Sequence, residues 1–480
     1  MTLNELLKGI VAVDIKGDTN IEISGIAYDS RKVKEGFVFV CIKGYVTDGH
    51  KYVKNAIENG AVAVVAEDDC DATGVVLVKT ENTRKTLAVM ASNFYGNPKD
   101  RMKIIGVTGT NGKTTVTTLI KHVLDFAGKK TGLIGTNANM IGDTVLDAER
   151  TTPESLELHE LFSNMEKSGV EYVIMEVSSH SLELFRVYGI NFEIGIFTNL
   201  TQDHLDFHVT MENYLDAKKK LFDISKVSII NGDDIYGKDI IKSFDNNVKT
   251  YSIEEMSDYK AENIKVSPRG VIFDVISENK KYSLRLGIPG RFSVYNALSV
   301  FAACAELSVK TETVLNALTV ANGVKGRAET VYTLTDYTVI IDYAHTPDGL
   351  ENIISTVKSF ATGRVITLFG CGGDRDSTKR SIMGEIAGKL SDYCIITSDN
   401  PRTEEPMEII NQIEEGMKKT DCEYTVIENR KEAIGYALSI AKADDCIILA
   451  GKGHETYQIL GKEKIHFDER EVVKEFLKSK

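Results

Sequence analysis

Seven consecutive residues, Gly109-Thr110-Asn111-Gly112-Lys113-Thr114-Thr115, have the composition of a loop that holds phosphate. Glycines let backbone N–H groups converge on an anion. Lys113 supplies a point charge, Thr114 a hydroxyl suited to Mg²⁺, and the N-terminus of a following helix adds partial positive charge. The pattern GxxxxGK[ST] asks for glycine at position 107, where this chain has Val107, so the loop is a variant flanked by Gly106 and Gly109. Alone, it implies that a nucleotide phosphate binds. An enzyme and a nucleotide-switch or binding protein would both satisfy it.

Phosphoryl chemistry needs a metal. Glu176 closes an apolar run, and His204 lies in Thr201-Gln202-Asp203-His204-Leu205-Asp206. With Thr114 they are candidate Mg²⁺ ligands, although Mg²⁺ prefers oxygen and histidine is its minority choice. On the residues alone, His204 reads as an ordinary hydrogen-bonded loop histidine and Glu176 as a helix N-cap partner. Lys218 stands in a run of three lysines, Lys218-Lys219-Lys220, where each reads as a solvated side chain. Cys371 sits in a glycine-rich loop, but no histidine lies near it in sequence to act as its base, so it reads as a small turn residue.

These residues need elements to hold them. Residues 103–108 form a buried strand leading into the phosphate loop, and residues 113–126 a helix leaving it. Further strands are expected at 172–177, 193–199 and 227–231, with shorter alternating strands over 266–286 and a helix over 292–307. A later block has strands at 339–343, 364–370, 393–398, 423–427 and 446–451, with helices at 406–419 and 430–441. The first hundred residues show short strands over 23–42 with a turn at 34–36, a helix at 51–59, and strands at 61–67 and 75–79. The expected fold is α/β with three domains: a small N-terminal α/β domain over 1–98, a central P-loop-type, mostly parallel sheet domain over 99–328, and a C-terminal doubly wound, Rossmann-like domain over 329–480. In such sheets ligands bind outside the carboxyl ends of strands. The polar segments 109–115, 178–180, 198–208, 370–376, 398–402 and 451–455 all fall there, which points the central and C-terminal blocks at a common cleft.

Composition narrows the partners. A formal charge of −13 argues against a nucleic-acid or anionic-membrane binder, whose footprint is basic. Seven widely spaced cysteines with no CxxC give neither a disulfide framework nor a zinc site. No signal-like start and no run of about 18 apolar residues is visible, so neither secretion nor membrane insertion is expected, and the reducing cytoplasm is.

The segments 109–115, Glu176-Val177-Ser178-Ser179-His180, Thr198-Asn199-Leu200 with Asp203-His204-Leu205-Asp206, and Asp342-Tyr343-Ala344-His345-Thr346-Pro347 together resemble the Mur ligases of peptidoglycan synthesis. Asp29-Ser30-Arg31, Thr151-Thr152-Pro153-Glu154, residues 369–375 and Asp399-Asn400-Pro401-Arg402 are similar to the branch that adds the third residue of the stem peptide. The resemblance spans nearly the whole chain, in order. It implies an ATP-dependent ligase, with ATP as co-substrate and Mg²⁺ as cofactor, working through an acyl phosphate in a monomer. The three domains would then bind the UDP-muramoyl substrate, ATP and the amino acid.

Residue by residue, the resemblance implies ATP contacts from Gly109, Thr110, Asn111, Gly112, Lys113, Thr114, Thr115, Asn296, Arg327 and Asp342. Lys113, Glu176, His204 and Lys218 carry the chemistry, with Thr114, Glu176 and His204 on metal and Lys218 carbamylated to N6-carboxylysine. Ser30, Thr151, Thr152, Ser178 and Arg186 match positions for UDP-N-acetylmuramoyl-L-alanyl-D-glutamate, and uracil and diphosphate would lie near Asp48-Gly49-His50. Leu184 stands where relatives can carry Gln, so one contact there is lost or replaced. Arg375, Asp399, Asn400, Pro401, Arg402, Gly451 and Glu455 match positions for meso-2,6-diaminopimelate. That substrate has a second carboxylate, which Arg402 can pair bidentately, and a second ammonium, which Glu455 can take. L-Lysine lacks the carboxylate and is the rival acceptor. Folylpolyglutamate synthetase shares the phosphate loop but lacks the first block. On the bare sequence, Arg402 could also be a surface ion-pair partner of Glu404-Glu405.

Overall fold

The computed structural model describes residues 1–44, 47–244, 247–267, 270–321, 323–331 and 333–478. They form two compact units. The first comprises residues 1–108, 129–195 and 217–226, and the second residues 109–128, 196–216 and 227–480.

The first unit begins with a five-stranded sheet: Asp14–Lys16, Val76–Lys79, Ala61–Ala66, Phe37–Val40 and Gly25–Ala27, in that spatial order. Its four inner and far-edge strands are parallel, and only Asp14–Lys16 runs against them. The strands expected over 23–42 are therefore not a hairpin. A 3-10 turn at Ser30–Lys32, capped by Asp29, carries the chain between two parallel neighbours. Helix Thr83–Phe94 covers this sheet, started by the Asn82 side chain accepting from Lys85 N. The same unit holds the parallel strands Lys103–Thr108, Tyr172–Glu176 and Thr131–Ile134, extended by an antiparallel hairpin, Asn139–Ile141 with Thr144–Leu146. Strand Lys103–Thr108 is buried except at Lys103, as an apolar run covered on both faces must be.

In the second unit, helix Lys113–Phe126 starts at Gly112, whose φ of +87° lets the chain swing from loop to helix. Strands Val248–Ser252 and Tyr259–Ser267 pair in parallel. Gly270–Ser277 and Lys280–Leu286 then turn back antiparallel, as the alternating pattern over 266–286 suggests, with residues 268 and 269 outside the described ones. The last sheet has the order Glu329–Val331, Thr338–Asp342, Cys446–Ala450, Val365–Phe369, Tyr393–Ile396, Tyr424–Val426. Its other five strands are joined by four parallel pairings, and Glu329–Val331 is an antiparallel edge. Central strands Cys446–Ala450 and Val365–Phe369 are wholly buried, and helices Pro347–Lys358, Thr378–Leu390, Pro406–Met417 and Arg430–Ile440 alternate with the strands. This is the doubly wound arrangement. Among the described residues no helix is long and apolar enough to cross a membrane.

His159 is a test of first-unit packing. It is fully buried in helix Ser155–Lys167, edge-on to Phe162 with ring centroids 5.7 Å apart. Burial, then Lys99, pushes its pKa down from 6.5 to about 3. The unfolded chain takes a proton near pH 6.5 and the folded chain does not. This contribution to stability is therefore complete above pH 6.5 and is lost as pH falls toward 3, by about 1.4 kcal/mol per pH unit at most. Denaturant titrations at pH 7 and pH 5 should show His159→Leu losing less stability between the two than the parent. Equal losses would mean that the ring is hydrated and titrates normally.

Candidate functional site

Within the second unit the phosphate loop is tied to the strand end at residues 198–201. Thr110 N donates to Asn199 O (2.9 Å), Asn111 N to Asn199 Oδ1 (2.9 Å) and Thr198 Oγ1 to Asn111 O (2.6 Å). Gly109 is required here: at φ +149° a Cβ would come within 1.9 Å of Thr198 Oγ1. Lys113 Nζ donates to the carbonyls of Gly109 and Thr110, both at 2.9 Å, so its charge is held over the loop. The loop opens on a cavity of about 340 Å³ whose lining includes Asn111, Gly112, Thr115, Asn296, Arg327 and Asp342. That size suits a small-molecule ligand. Residues from the central and C-terminal stretches of sequence thus share one cavity.

Asn296 is buried, with its Oδ1 facing Gly112. Arg327 lies over the Tyr343 ring at 4.7 Å and donates from Nη2 to Thr114 Oγ1 at 3.1 Å. Asp342 spends its oxygens on its own surroundings, accepting from Ala328 N (2.6 Å) and Ala344 N (2.8 Å). Its role is to fix the two loops that carry Arg327 and Tyr343. Asp348, which the sequence does not single out, accepts from Asn111 Nδ2 at 2.6 Å and clips the phosphate loop to helix Pro347–Lys358. His204 is in a left-handed conformation (φ +55°) with its ring partly exposed, and its Nε2 lies 3.4 Å from Asp203 Oδ2. Asp203 is buried. Burial opposes its charge, but His204, Lys379 and His345 prevail and pull its pKa down to about 2. Lys379, also buried, reaches Asp203 at 3.8 Å from the start of helix Thr378–Leu390.

The acceptor-site candidates cluster at the carboxyl ends of the last sheet. Arg402 adopts φ +53° and donates from Nη1 to Gly373 O at 2.6 Å. Glu404, which could have claimed it at the surface, is instead taken by Arg380 at 2.8 Å. Arg375 is exposed and donates to Asp374 O, while Pro401 is buried. Asn400 Nδ2 donates to Glu455 Oε2 at 3.0 Å. Gly451, at φ +113°, brings the chain past Asp399. Between Asp399, Asn400 and Glu455 sits Lys452, which the sequence does not mark out because a lysine beside a glycine reads as surface.

Within the first unit, Glu176 is buried. Its Oε1 accepts from Thr136 N (2.9 Å) and its Oε2 from Thr136 Oγ1 (3.0 Å). Thr136 Oγ1 in turn lies 2.9 Å from Thr151 Oγ1. Thr152 Oγ1 donates to Glu176 O (2.8 Å) and accepts from Ser178 N (3.1 Å). Arg186 donates to Thr152 O at 3.0 Å and pairs with Glu154 at 2.8 Å. The structure thus brings Thr151, Thr152, Ser178, Arg186 and Glu176 together, whereas Ser30 is fixed separately, its carbonyl accepting from Asn59 Nδ2 at 2.9 Å. Arg84 and Arg150 also approach Glu154, at 3.6 and 3.1 Å, which adds positive charge the motifs do not reveal. Lys218 is 1% exposed in helix Met211–Asp223, while Lys219 and Lys220 are half-buried. The solvated reading of that run fails for its first lysine.

Residues 22–95 match the Mur ligase family catalytic domain, residues 107–304 the Mur ligase middle domain, and residues 326–453 the Mur ligase glutamate ligase domain. The chain is 55% identical over 479 residues, 99% of both chains, to the UDP-N-acetylmuramoyl-L-alanyl-D-glutamate--2,6-diaminopimelate ligase of Caldanaerobacter subterraneus subsp. tengcongensis. It is 53% identical to the ligase 1 of the same name from Clostridium acetobutylicum, over 100% of this chain and 99% of that one. A solved structure of such a ligase superposes with a TM-score of 0.71 at 29% identity, covering 100% of this chain and 99% of the other. A Mycobacterium tuberculosis folylpolyglutamate synthase shares the fold, with a TM-score of 0.65 at 16% identity, but covers only 76% of this chain. Matched by three Mur ligase models along its length and 55% identical to a full-length relative, the chain belongs to the Mur ligase family.

Proposed function

We propose that this ligase uses ATP to join a carboxylate of the D-glutamate in UDP-N-acetylmuramoyl-L-alanyl-D-glutamate to an amino group of meso-2,6-diaminopimelate, in the cytoplasm and as a monomer. The domain boundaries that serve this reading fall at 98/99 and 328/329. The observation that carries it is that Arg402, bonded to Gly373 O, and the carboxylates Asp399 and Glu455, both paired to Lys452, stand on two neighbouring loops of one sheet, in a chain similar over its whole length to ligases named for that acceptor. Arginine matches the second carboxylate of the acceptor, and the carboxylates match its ammonium.

A carboxylate is a poor electrophile. Its oxygen attacks the γ-phosphorus of ATP and ADP leaves, giving an acyl phosphate. The amine nitrogen then attacks the acyl carbon, phosphate leaves, and the amine loses a proton. Gly109 to Thr115 and Lys113 orient the triphosphate, Asn296 and Arg327 bound the nucleotide cavity, and Asp342 holds those loops in place. Thr151, Thr152, Ser178 and Arg186, with Ser30, position the muramoyl dipeptide. Glu176 in the first unit, and Thr114 and His204 in the second, offer a carboxylate, a hydroxyl and an imidazole. The buried Glu176 carboxylate is a hard oxygen ligand with the Thr136 and Thr151 hydroxyl oxygens close by, a donor set that fits a hard cation. Bound Mg²⁺ would neutralise charge on the phosphates. Lys218 is proposed to be carbamylated. A buried lysine turned into an anion is a different chemical group from its two neighbours, and its burial is the support for setting it apart.

The reaction is tested by ATP-dependent phosphate release with the muramoyl dipeptide and one amino acid at a time. Release is expected with meso-diaminopimelate and not with L-lysine. Lysine alone as substrate overturns the acceptor assignment, and release without any amino acid points to a nucleotide switch. Arg402→Ala should raise KM for diaminopimelate by about 10²-fold or more, in line with loss of a desolvated charge pair, while KM for ATP stays within a few-fold. Equal changes in both would make Arg402 structural. Lys218→Arg keeps the positive charge but cannot be carbamylated. It should lower kcat by roughly 10²-fold, the size of a lost charge-stabilising group, and remove any dependence of rate on bicarbonate. Full activity in that variant excludes the modification.

A further inference from the structure

Lys452 is 0% exposed, and its ammonium is the hub of the loops assigned to the acceptor. Nζ lies 2.7 Å from Asn400 Oδ1, 3.0 Å from Glu455 Oε2 and 3.1 Å from Asp399 Oδ1. All three partners are acceptor-site candidates, on two different loops. Leaving an ammonium out of water costs several kcal/mol unless it is paired and hydrogen-bonded, so these three contacts are a condition of the local fold.

The network also dictates orientation. Asn400 Oδ1 accepts from Lys452 Nζ and from Ile459 N (3.0 Å), which turns the amide so that Nδ2 donates to Glu455 Oε2 at 3.0 Å. The Asn400 side chain is therefore spent on structure. Glu455 is aimed through its Oε2, and its Oε1 lies 3.4 Å from Tyr457 Oη. Asp399 is held through its carbonyl by Gln458 Nε2 at 2.7 Å. Burial works against the Asp399 charge, yet Lys452 and then Arg430 outweigh it and keep the carboxyl below its usual range. The Asp399 carboxylate stays ionised in a place where an unpartnered one would not.

Charge balance follows. Asp399, Glu455 and Lys452 together leave a single excess negative charge, Arg430 being paired with Glu469 at 2.8 Å, and Arg402, on the same loop as Asp399, brings one positive charge. A head group bearing one ammonium and one carboxylate matches that pattern. Without Lys452 that compensation is lost, and the acidic cluster would favour a cation over a zwitterionic head. We infer that Lys452 is a positioning residue of the acceptor site, and that its ammonium tunes the site for a zwitterionic amino-acid head instead of a lone amine. This rests on the reading that these loops bind the acceptor.

The test uses the full-length enzyme, with phosphate release measured against meso-diaminopimelate and L-lysine separately, and with KM for ATP as the control. Lys452→Met should raise KM for diaminopimelate by about tenfold or more and narrow the preference over lysine by a similar factor, as expected when a buried charge pattern is altered. KM for ATP should stay within about twofold, since the phosphate loop is untouched. Lys452→Arg should recover part of the preference because it restores the charge. Should Lys452→Met fail to fold, Glu455→Gln decides: with Lys452 in excess, KM for diaminopimelate rises and lysine use falls still further. A folded Lys452→Met enzyme with unchanged acceptor KM and preference overturns the role of Lys452, as does a Glu455→Gln enzyme that turns over lysine better. Parent enzyme that uses lysine alone overturns the acceptor reading itself, whatever the variants do.

Discussion

A charge taken out of water must meet opposite charge or several hydrogen bonds, and the sites of this protein are organised by that demand. Glu176, Lys218, Asp203, Lys379, Asp399 and Lys452 are all buried. None could remain so in a chain that merely packed apolar residues. Five of them sit near the end of a strand or helix, where polar backbone groups become available, and Lys218 lies within helix Met211–Asp223. Asp399 and Lys452 follow the ends of two strands of the last sheet, Tyr393–Ile396 and Cys446–Ala450. Breaking any one of these pairs strands its partner, so the loops stand or fall together. The loops at this end of the last sheet are thereby tied to one another by buried pairs, which reduces the ordering cost of any ligand they bind.

The phosphate loop answers the same demand by another route. The Thr110 and Asn111 backbone N–H groups are spent on Asn199, which holds the loop in shape ahead of the helix N-terminus. Thr198, Asn199 and Thr201 take its remaining polar atoms, and Asn111 is clipped by Asp348. The close approach at Gly109 leaves no room for a side chain. Glycine is needed there for contact with protein as much as with phosphate. This also accounts for Val107 where the common pattern has glycine: Val107 is wholly buried within strand Lys103–Thr108, before the loop turns.

Legibility in the sequence divides along the same line. Strand Lys103–Thr108 and helix Lys113–Phe126 are visible because their signals are local: an apolar run, then glycine at a turn. The parallel strands of the last sheet are visible for the same reason. Helix Thr83–Phe94 and the hairpin at Asn139–Ile141 and Thr144–Leu146 are not, because their apolar residues are mixed with polar ones that tertiary packing makes acceptable. The parallel pairing of Gly25–Ala27 with Phe37–Val40 is hidden too, since a short connection ordinarily signals a hairpin. Thr136 and Asp348 escape notice because nothing in their neighbourhood of the chain shows what they will touch.

Lysine shows where reading by residue type reaches its limit. Lys113 is legible from its motif. Lys218, Lys379 and Lys452 look like surface residues, because a lysine is almost never fully buried unless it is paired. What buries Lys379 and Lys452 is a carboxylate from a distant part of the chain, and what lifts Lys218 above Lys219 is its face of a helix. Burial of a lysine therefore carries more information than its presence. A charge withdrawn from solvent at a strand end has been placed there against a free-energy gradient, and the groups around it are fixed as firmly as any in the core. In the last sheet those groups are the ones proposed to face the acceptor. The orientation of Asn400 and Glu455 is therefore a property of Lys452 as much as of the loops on which they stand.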